Sequence, residues 1–337
     1  MTPAFQIFAD GRNVTEAFND RLLSLTVTDE DGLDSDAVEI TVDDRDNVVA
    51  LPRKGASLTI LMGYRETGLS LMGRFTVDEV TIEGPPWEIG VHGRAADLRA
   101  SFKEQKTRHF EGTTLGAIFE KLASEHGLEA AIDPELAKRA VRYVAQTEES
   151  DLHFATRLAR RHDAVAKPAN GRLVVAHKGA GRSGSGQTLE RLVLRPGDVT
   201  HVRVSKADRP DHGGVEAEWY DRDGAERRSV LVENGEGPRM RLPHTYPSEE
   251  EAVRAAEARS RELDRAEGSL SVEMPGRTDI AAEMQVDMVG FRDGIAGAWT
   301  IERAEHRLDG GGYVTSLEAG KGKKKEGGEG EGDDGEE

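Results

Sequence analysis

Two short stretches near opposite ends of the chain are near-copies of one another. The first reads Met-Gly-Tyr-Arg at 62–65 and, after seven residues, Gly-Arg-Phe-Thr-Val-Asp at 73–78. The second reads Val-Gly-Phe-Arg at 289–292 and, after four residues, Gly-Ala-Trp-Thr-Ile-Glu at 297–302. Glycines at turns and aromatic or β-branched residues between them predict two strands joined by a short loop. The repeat therefore predicts one kind of β-domain used twice, with other material between the copies.

Residues 1–104 are predicted to form the first β-domain, a barrel or a sandwich. Many short alternating segments separated by turn residues are typical of a barrel or sandwich. The predicted strands lie at 5–8, 23–27, 38–42, 58–62 and 87–91. The acidic segment 29–36 joins two of these strands. Its Gly32 comes too early for an EF-hand, so a solvated hairpin loop is expected instead of a calcium site.

Residues 105–178 change to a helical period and predict a small α+β insert. Thr113 or Thr114 is expected to cap the first helix and Gly127 to end it. Asp133 is expected to open a short second helix, and Ser150 to cap a third. A hairpin is predicted from the apolar runs at 164–167 and 173–176.

Residues 189–320 are predicted to form the second β-domain, of the same kind as the first. Ser248 and Glu251 form a capping box that predicts a helix over about 248–267. The stretch 179–184 fits G-x-G-x-x-G, but no helix follows it, which favours a Gly/Ser linker at 179–188 over a dinucleotide site. The tail 321–337 contains only Lys, Gly, Glu and Asp and is predicted to be disordered.

Composition limits the classes of function. The chain has 337 residues and a formal net charge of −18, which argues against general nucleic-acid binding. No cysteine is present, which excludes disulfides, thiol catalysis and cysteine-ligated metals. No apolar run approaches the length of a membrane span, and no secretory signal is visible.

The sequence predicts no catalytic, cofactor-binding or metal-binding residue. The ten histidines are scattered, and no metal-ligand or nucleophile-elbow motif occurs. Glu148, Glu149 and Asp151 cluster where a helix begins. The helix dipole is a sufficient explanation for acids at that place. We therefore expect a protein that is not an enzyme.

Four stretches together resemble the phage late control gene D family, the baseplate hub proteins of contractile tails. They are 35–44 with 51–52, 146–159, 246–252, and 297–301 with 304–308 and 312–315. The similarity covers residues 5–319, and 146–159, Gln-Thr-Glu-Glu-Ser-Asp-Leu-His-Phe-Ala-Thr-Arg-Leu-Ala, is its most specific part. The family is related in fold to the hub of T-even phages and to the N-terminal half of type VI secretion spike proteins.

The resemblance implies that residues 1–104 and 189–320 form two similar tube-type β-barrel domains. It further implies a homotrimeric ring in the virion baseplate, assembled in the host cytoplasm. It also implies a trimeric tail spike, the tail tube, the tape-measure and other baseplate proteins as partners, with no sequence-specific nucleic acid and no membrane span. Three chains with two similar β-domains each would present six similar faces to a six-fold tube and remain three-fold for the spike. Whether the lumen conducts DNA or an effector is left open.

Two alternative functions are kept beside the hub. One is the hub of a type VI-like secretion or toxin-delivery system, and the other is a tail-associated cell-wall hydrolase. Subunit contacts are expected on the barrel edges and the 248–267 helix. The candidate interface residues are Asp36, Glu39, Arg65, Phe75, Arg292, Trp299, Glu251 and Arg254.

Overall fold

The structure is a computed structural model. It describes residues 1–31, 36–95, 102, 104–169, 171–177, 191–206, 213–222, 224–233, 237–266 and 268–321. The predicted linker at 179–188 and the tail beyond Lys321 lie outside the described residues. The predicted domain boundaries at 178 and 188 fall there too and stay predictions.

The elements fall into a first half, an insert and a second half. The first half contains β1 Pro3–Ala9, β2 Arg12–Asn13, α1 Thr15–Phe18, β3 Leu22–Glu30, β4 Ala37–Asp43, β5 Ser57–Tyr64, β6 Gly68–Glu83 and β7 Glu88–Ala95. The insert contains β8 Gln105–Thr114, α2 Leu115–Glu125, β9 Glu129–Ile132, α3 Pro134–Ala137, β10 Ala140–Ser150, α4 Asp151–Arg160, β11 Ala164–Ala169 and β12 Arg172–His177. The second half contains β13 Leu192–Leu194, a 3-10 turn at Pro196–Asp198, β14 His201–Lys206, β15 Gly214–Asp221, β16 Glu226–Glu233, β17 Arg239–Tyr246, α5 Glu249–Ala266, β18 Gly268–Pro275, β19 Gln285–Met288, β20 Gly297–Asp309 and β21 Gly312–Lys321.

The two halves arrange their strands in the same order. In the first half the neighbours run β5-β6-β7-β4-β3, and in the second they run β19-β20-β21-β18-β14. Every pairing along both paths is antiparallel. The equivalent strands are therefore β3 with β14, β4 with β18, β5 with β19, β6 with β20 and β7 with β21. The prediction of a duplicated β-unit is supported by this topology.

The halves also share register and the place of a β-bulge. Asp78 is the extra residue of β6 opposite β7, and Glu302 is the extra residue of β20 opposite β21. Each bulge comes three residues after an aromatic residue, Phe75 or Trp299, in the matching copies of the repeat. A bulge interrupts the ladder at one defined residue. Its recurrence fixes a residue-by-residue equivalence between the halves.

Both repeat copies form the predicted hairpins. In the first, β5 and β6 pair across the turn that follows Tyr64, and in the second, β19 and β20 pair across the loop 289–296. Phe75 is paired with Leu58, and Trp299 with Val286. Both aromatic rings are buried, at 1% and 3% exposure, in the cores of their own halves.

The strands of the two halves are joined into one continuous sheet among the described residues. Strand β20 pairs with β21 along one side, and along its other side with β19 and then with β3 of the first half. Among the described residues the pairings form an open path from β14 to β2. The mainly β fold with an α+β insert is confirmed, whereas closure into barrels stays a prediction.

The insert has its own hydrophobic core beneath three helices. Leu115, Phe119 and Phe154 are fully buried in it. Thr114 caps α2, and Ser150 Oγ accepts from the backbone N of His153 at the start of α4, as predicted. The long strands β8 and β10 pair with each other and were not predicted from the sequence. Their many exposed polar residues conceal the alternation that marks a half-buried strand.

A small sheet of β15, β16 and β17 packs against α5 in the second half. Ala252 and Ala256 of α5 are fully buried against Val215 and Ala217 of β15. The small side chains let the helix lie close to the sheet. Helix α5 spans Glu249–Ala266, which confirms the predicted helix within two residues at each end. This unit is inserted between β14 and β18, where the first half has only the β3–β4 connection.

Burial of Phe75 makes a test of the repeat as a core element. We expect Phe75→Ala to lower the free energy of unfolding by about 3–5 kcal/mol, because a fully buried aromatic ring leaves a cavity. Leu71→Ala, on the same strand but 50% exposed, is the matched control. It should change the free energy of unfolding by no more than about 0.5 kcal/mol in urea titrations. Equal effects of the two substitutions on the free energy of unfolding would contradict the placement of Phe75 in the core.

Candidate assembly interface

The seam between the halves is a backbone ladder between β3 and β20. It runs from Ser24 opposite Asp309 to Glu30 opposite Arg303. The Arg303 guanidinium lies 3.4 Å from the Glu30 carboxylate across the seam. Leu308 and Tyr313 come from the second half but are buried in the core of the first. The first half therefore lacks part of its core without the β20–β21 hairpin.

Polar contacts beside the seam hold the halves together. The Tyr64 hydroxyl donates to the Gly276 carbonyl at 3.0 Å, and the Ser70 and Thr278 hydroxyls are 2.9 Å apart. The rings of Tyr64 and Tyr313 lie 5.6 Å apart. Burial raises the pKa of the Tyr313 hydroxyl, which keeps it neutral and able to donate.

Three of the predicted interface residues are exposed and lie apart from one another. Glu39 is on β4, and Arg65 is in the turn after β5. Arg292 is in the loop between β19 and β20. Arg65 and Arg292 occupy matching positions of the two repeat copies. They therefore mark equivalent loops of the halves, and their contact with another subunit stays a prediction.

Phe75 and Trp299 are core residues of the chain. Trp299 Nε1 donates to the Ile295 carbonyl at 2.9 Å, which orients the ring inward and anchors the loop before β20. Neither ring is on the surface. A partner would therefore contact the strands that these rings support, and not the rings themselves.

Asp36 joins the first half to the insert. Its carboxylate and that of Asp29 each lie 2.6 Å from Lys167 Nζ on β11. Asp29 also accepts from the backbone N of Ala282 at 2.9 Å, so one ionic cluster touches the first half, the insert and the second half. The expectation of a solvated loop is wrong for Asp29 and Asp36. Residues 32–35 of that loop lie outside the described residues.

The two carboxylates of this cluster have opposite pKa shifts. Burial and the neighbouring charge of Asp29 raise the pKa of Asp36 to about 7. Burial opposes ionisation of Asp29 as well, but the charge of Lys167 and the hydrogen bonds from Lys167, Asp36 and Ala282 together outweigh it and lower the pKa of Asp29. Two close carboxylates do not ionise together readily, so below about pH 7 Asp36 holds a proton and hydrogen-bonds Asp29. Lys167 was missed in the sequence, where only its position at the end of an apolar run distinguished it.

Glu251 and Arg254 lie on α5 at a small cleft against the insert. The same cleft is lined by Arg161 and Tyr246. Burial raises the pKa of the Glu251 carboxyl. Nearby, Arg261 of α5 forms a 2.6 Å ion pair with Asp163 of the insert. This face of α5 is thus occupied within the chain, and contacts of Glu251 and Arg254 with another subunit stay a prediction.

Asp151 has a larger role than completing a helix dipole. Its buried carboxylate accepts from Lys106 Nζ at 2.6 Å, Arg108 Nη2 at 2.7 Å and Gln146 Nε2 at 2.8 Å. His126 Nε2 lies 2.8 Å away. Burial opposes ionisation, but these hydrogen bonds lower the pKa of Asp151. The cluster ties together β8, α2, β10 and α4, and its carboxylate is fully engaged in structural contacts.

The described residues hold no group of three histidine, aspartate or glutamate side chains placed to bind a metal ion. None of the helices that the structure describes is long and apolar enough to span a membrane.

Comparison with known proteins shows the family to which the chain belongs. The model of the phage tail baseplate hub (GPD) family matches residues 67–311. A probable baseplate hub protein of Escherichia phage P2 is 31% identical over 359 residues, covering 94% of this chain and 93% of the phage protein.

Solved tail proteins share the fold at low sequence identity. The 43 kDa tail protein of prophage MuSo2 from Shewanella oneidensis aligns with a TM-score of 0.73 and 13% identity, over 94% of this chain and 98% of its own. The E. coli c3393 protein, a component of the type VI secretion system, aligns with a TM-score of 0.55 and 12% identity, over 89% and 73%. The fold is thus that of tail proteins. The chain belongs to the phage tail baseplate hub family, so the predicted hub function and tail location are confirmed.

Asp36 makes stability depend on pH in a defined direction. Its pKa is raised in the folded chain, so the native state retains a proton that the unfolded state releases near pH 4. The free energy of unfolding should fall by about 1 kcal/mol per pH unit between pH 5 and 7 from this group. Asp36→Asn should remove that slope in urea titrations.

Glu39→Gln is the matched control, because Glu39 is an exposed carboxylate on the same hairpin. It should keep the slope of the natural protein. An Asp36→Asn variant with an unchanged slope would contradict the assignment of the proton to Asp36.

Proposed function

We propose that the chain assembles as a homotrimeric ring in the baseplate, between a six-fold tail tube and a three-fold spike. The carrying observation is the equivalence of the halves in strand order, register and bulge position. A trimer of such chains has six like β-units around its axis. It can meet a six-fold partner on one side and a three-fold partner on the other.

The departures from equivalence support the same proposal. The insert and the unit of β15–β17 with α5 occur once per chain, so they would decorate a ring with three-fold symmetry only. A face with these additions suits a trimeric spike, while the repeated sheet suits the tube. The proposed partners are the tail tube protein, the trimeric spike protein, the tape-measure protein and other baseplate proteins.

We also propose that the chain acts by assembly, without a catalytic step. The most elaborate polar cluster, around Asp151, satisfies its carboxylate with donors from its own chain. Blank peptidoglycan zymograms with the purified protein are expected, and clearing would favour the cell-wall hydrolase.

A hub in a type VI-like delivery system is the second candidate. The fold similarity to the E. coli c3393 protein favours it, because that protein is a component of such a system. The two candidates share one fold and differ in partners. Capture by a phage-type spike or by a secretion-type spike would decide between them.

The oligomeric state is the first test. Light scattering coupled to gel filtration should give three times the chain mass of 36.7 kDa. The protein should also be captured by immobilised spike and by tail tube protein from the same phage tail. A monomer that binds neither partner would overturn the proposal.

A further inference from the structure

We infer that the ring closes by β-strand addition between chains. The outer edge of β14 in one chain would pair, antiparallel, with residues 79–83 of β6 in the next. This inference rests on the proposed trimer and names the surfaces that would make it. It is carried by the β3–β20 seam, which already joins one half to the other inside each chain.

The seam inside the chain is the template. There the edge of a β3-type strand meets the second half of a β6-type strand, which is β20. By the equivalence of the halves, β14 is the other β3-type strand and β6 is the other β6-type strand. Each chain therefore forms this junction once, between β3 and β20. It also carries one further β3-type edge, on β14, and one further β6-type edge, on β6, which are not paired with each other.

The outer edge of β14 and the edge of β6 at residues 79–83 are both unpaired among the described residues. Among the strands that the structure describes, β14 pairs only with β18. Residues 79–83 of β6 pair with β7 on one side and have no partner on the other among these strands. Open strand edges invite pairing with another chain. The free ladder groups here lie on the sheet that carries the seam.

Burial shows what is missing at the edge of β14. Val202 and Val204 of β14 pack against the hydrophobic core of the second half but are only half-buried. Their equivalents on β3 are Leu25 and Val27, which are 0% and 2% exposed where β20 is paired alongside. The valines thus occupy positions that become fully buried once a β6-type strand lies beside them.

The unpaired edge of β6 also carries a side chain that is more exposed than its equivalent in the template. Ile82 is 54% exposed although it is paired with Ile89, which is 1% exposed on the same face of the sheet. The equivalent of Ile82 in the second half is His306, which is 1% exposed beside β3. An apolar side chain is therefore exposed at the position where the template has a buried histidine.

The register of the new seam follows from that of the template. Thr28 lies opposite Glu305 and Thr26 opposite Arg307 in the chain. The same offsets place Ser205 opposite Thr81, Val204 opposite Ile82, and Arg203 opposite Glu83. The two apolar side chains then face each other. Arg203 and Glu83, both exposed in one chain, form an oppositely charged cross-strand pair.

This junction is heterologous, because it joins two different edges. Each chain offers one edge of each kind, so chains join head to tail and close into a ring if the rotation per chain allows. The seam within the chain sets the same rotation between halves as the seam between chains. Six halves linked by equivalent junctions then alternate around the ring.

Disulfide trapping tests the seam directly, since the chain has no cysteine of its own. Ser205→Cys combined with Thr81→Cys should form cross-links between chains on mild oxidation. Dimers and trimers should appear on denaturing gels without reductant. The matched control is Thr28→Cys with Glu305→Cys at the equivalent template position, which should cross-link within one chain and remain a monomer on the gel.

The single variants test whether the seam joins two different strand edges or two copies of the same edge. Neither Ser205→Cys nor Thr81→Cys alone should cross-link, whereas chains of the two variants refolded together should give dimers only. Self-cross-linking of a single variant would indicate a two-fold edge contact and overturn the inference. A double variant that is trimeric by light scattering but forms no cross-links would also overturn the inference. That result would contradict the seam and not the proposed trimer.

A surface variant gives an independent readout. Ile82→Asp should convert the trimer to a folded monomer that still unfolds in one cooperative thermal transition, because the side chain is exposed in one chain. Leu71→Asp, at a similarly exposed site on the same strand outside the seam, should remain trimeric. A trimeric Ile82→Asp protein would overturn the inference.

Discussion

The pairing of β20 with β3 is the interaction on which the rest of the structure depends. One strand of 13 residues serves two neighbours along one side, β19 of its own half and β3 of the other. Because backbone ladders fix register, this single strand sets the position of one half relative to the other. The buried Leu308 and Tyr313 then make the junction part of the first core, so the halves do not act as independent domains.

The sequence predicted the parts of this fold that depend on local patterns. The repeated glycine–aromatic hairpins, the alternating strands and the capped helices α2 and α4 follow from turn chemistry and periodicity. The seam could not be predicted, because pairing between β3 and β20 joins segments with no local signal for each other. The exposed strands β8 and β10 were missed for a related reason, since their stability comes from partners distant in sequence.

The candidate site shows the same limit. Exposed residues such as Glu39, Arg65 and Arg292 could be chosen from charge and position in the repeat. Lys167 could not, because its importance depends on Asp29 and Asp36 meeting it in space. A lysine between two carboxylates compensates burial that neither acid would tolerate alone. Such a cluster holds the insert to the sheet without occupying the free strand edges.

The seam also orders events during synthesis. Strand β3 is made before the insert and β20 after it, so the core of the first half stays incomplete until the insert and β20 have both left the ribosome. Pairing over such a sequence separation is slow compared with local hairpins. The nascent chain therefore carries an open β3 edge while the insert and the strands up to β20 are made, and an open edge is a site of misassembly. A chain stalled before β20 would expose β3, which makes synthesis of β20 a condition for correct assembly.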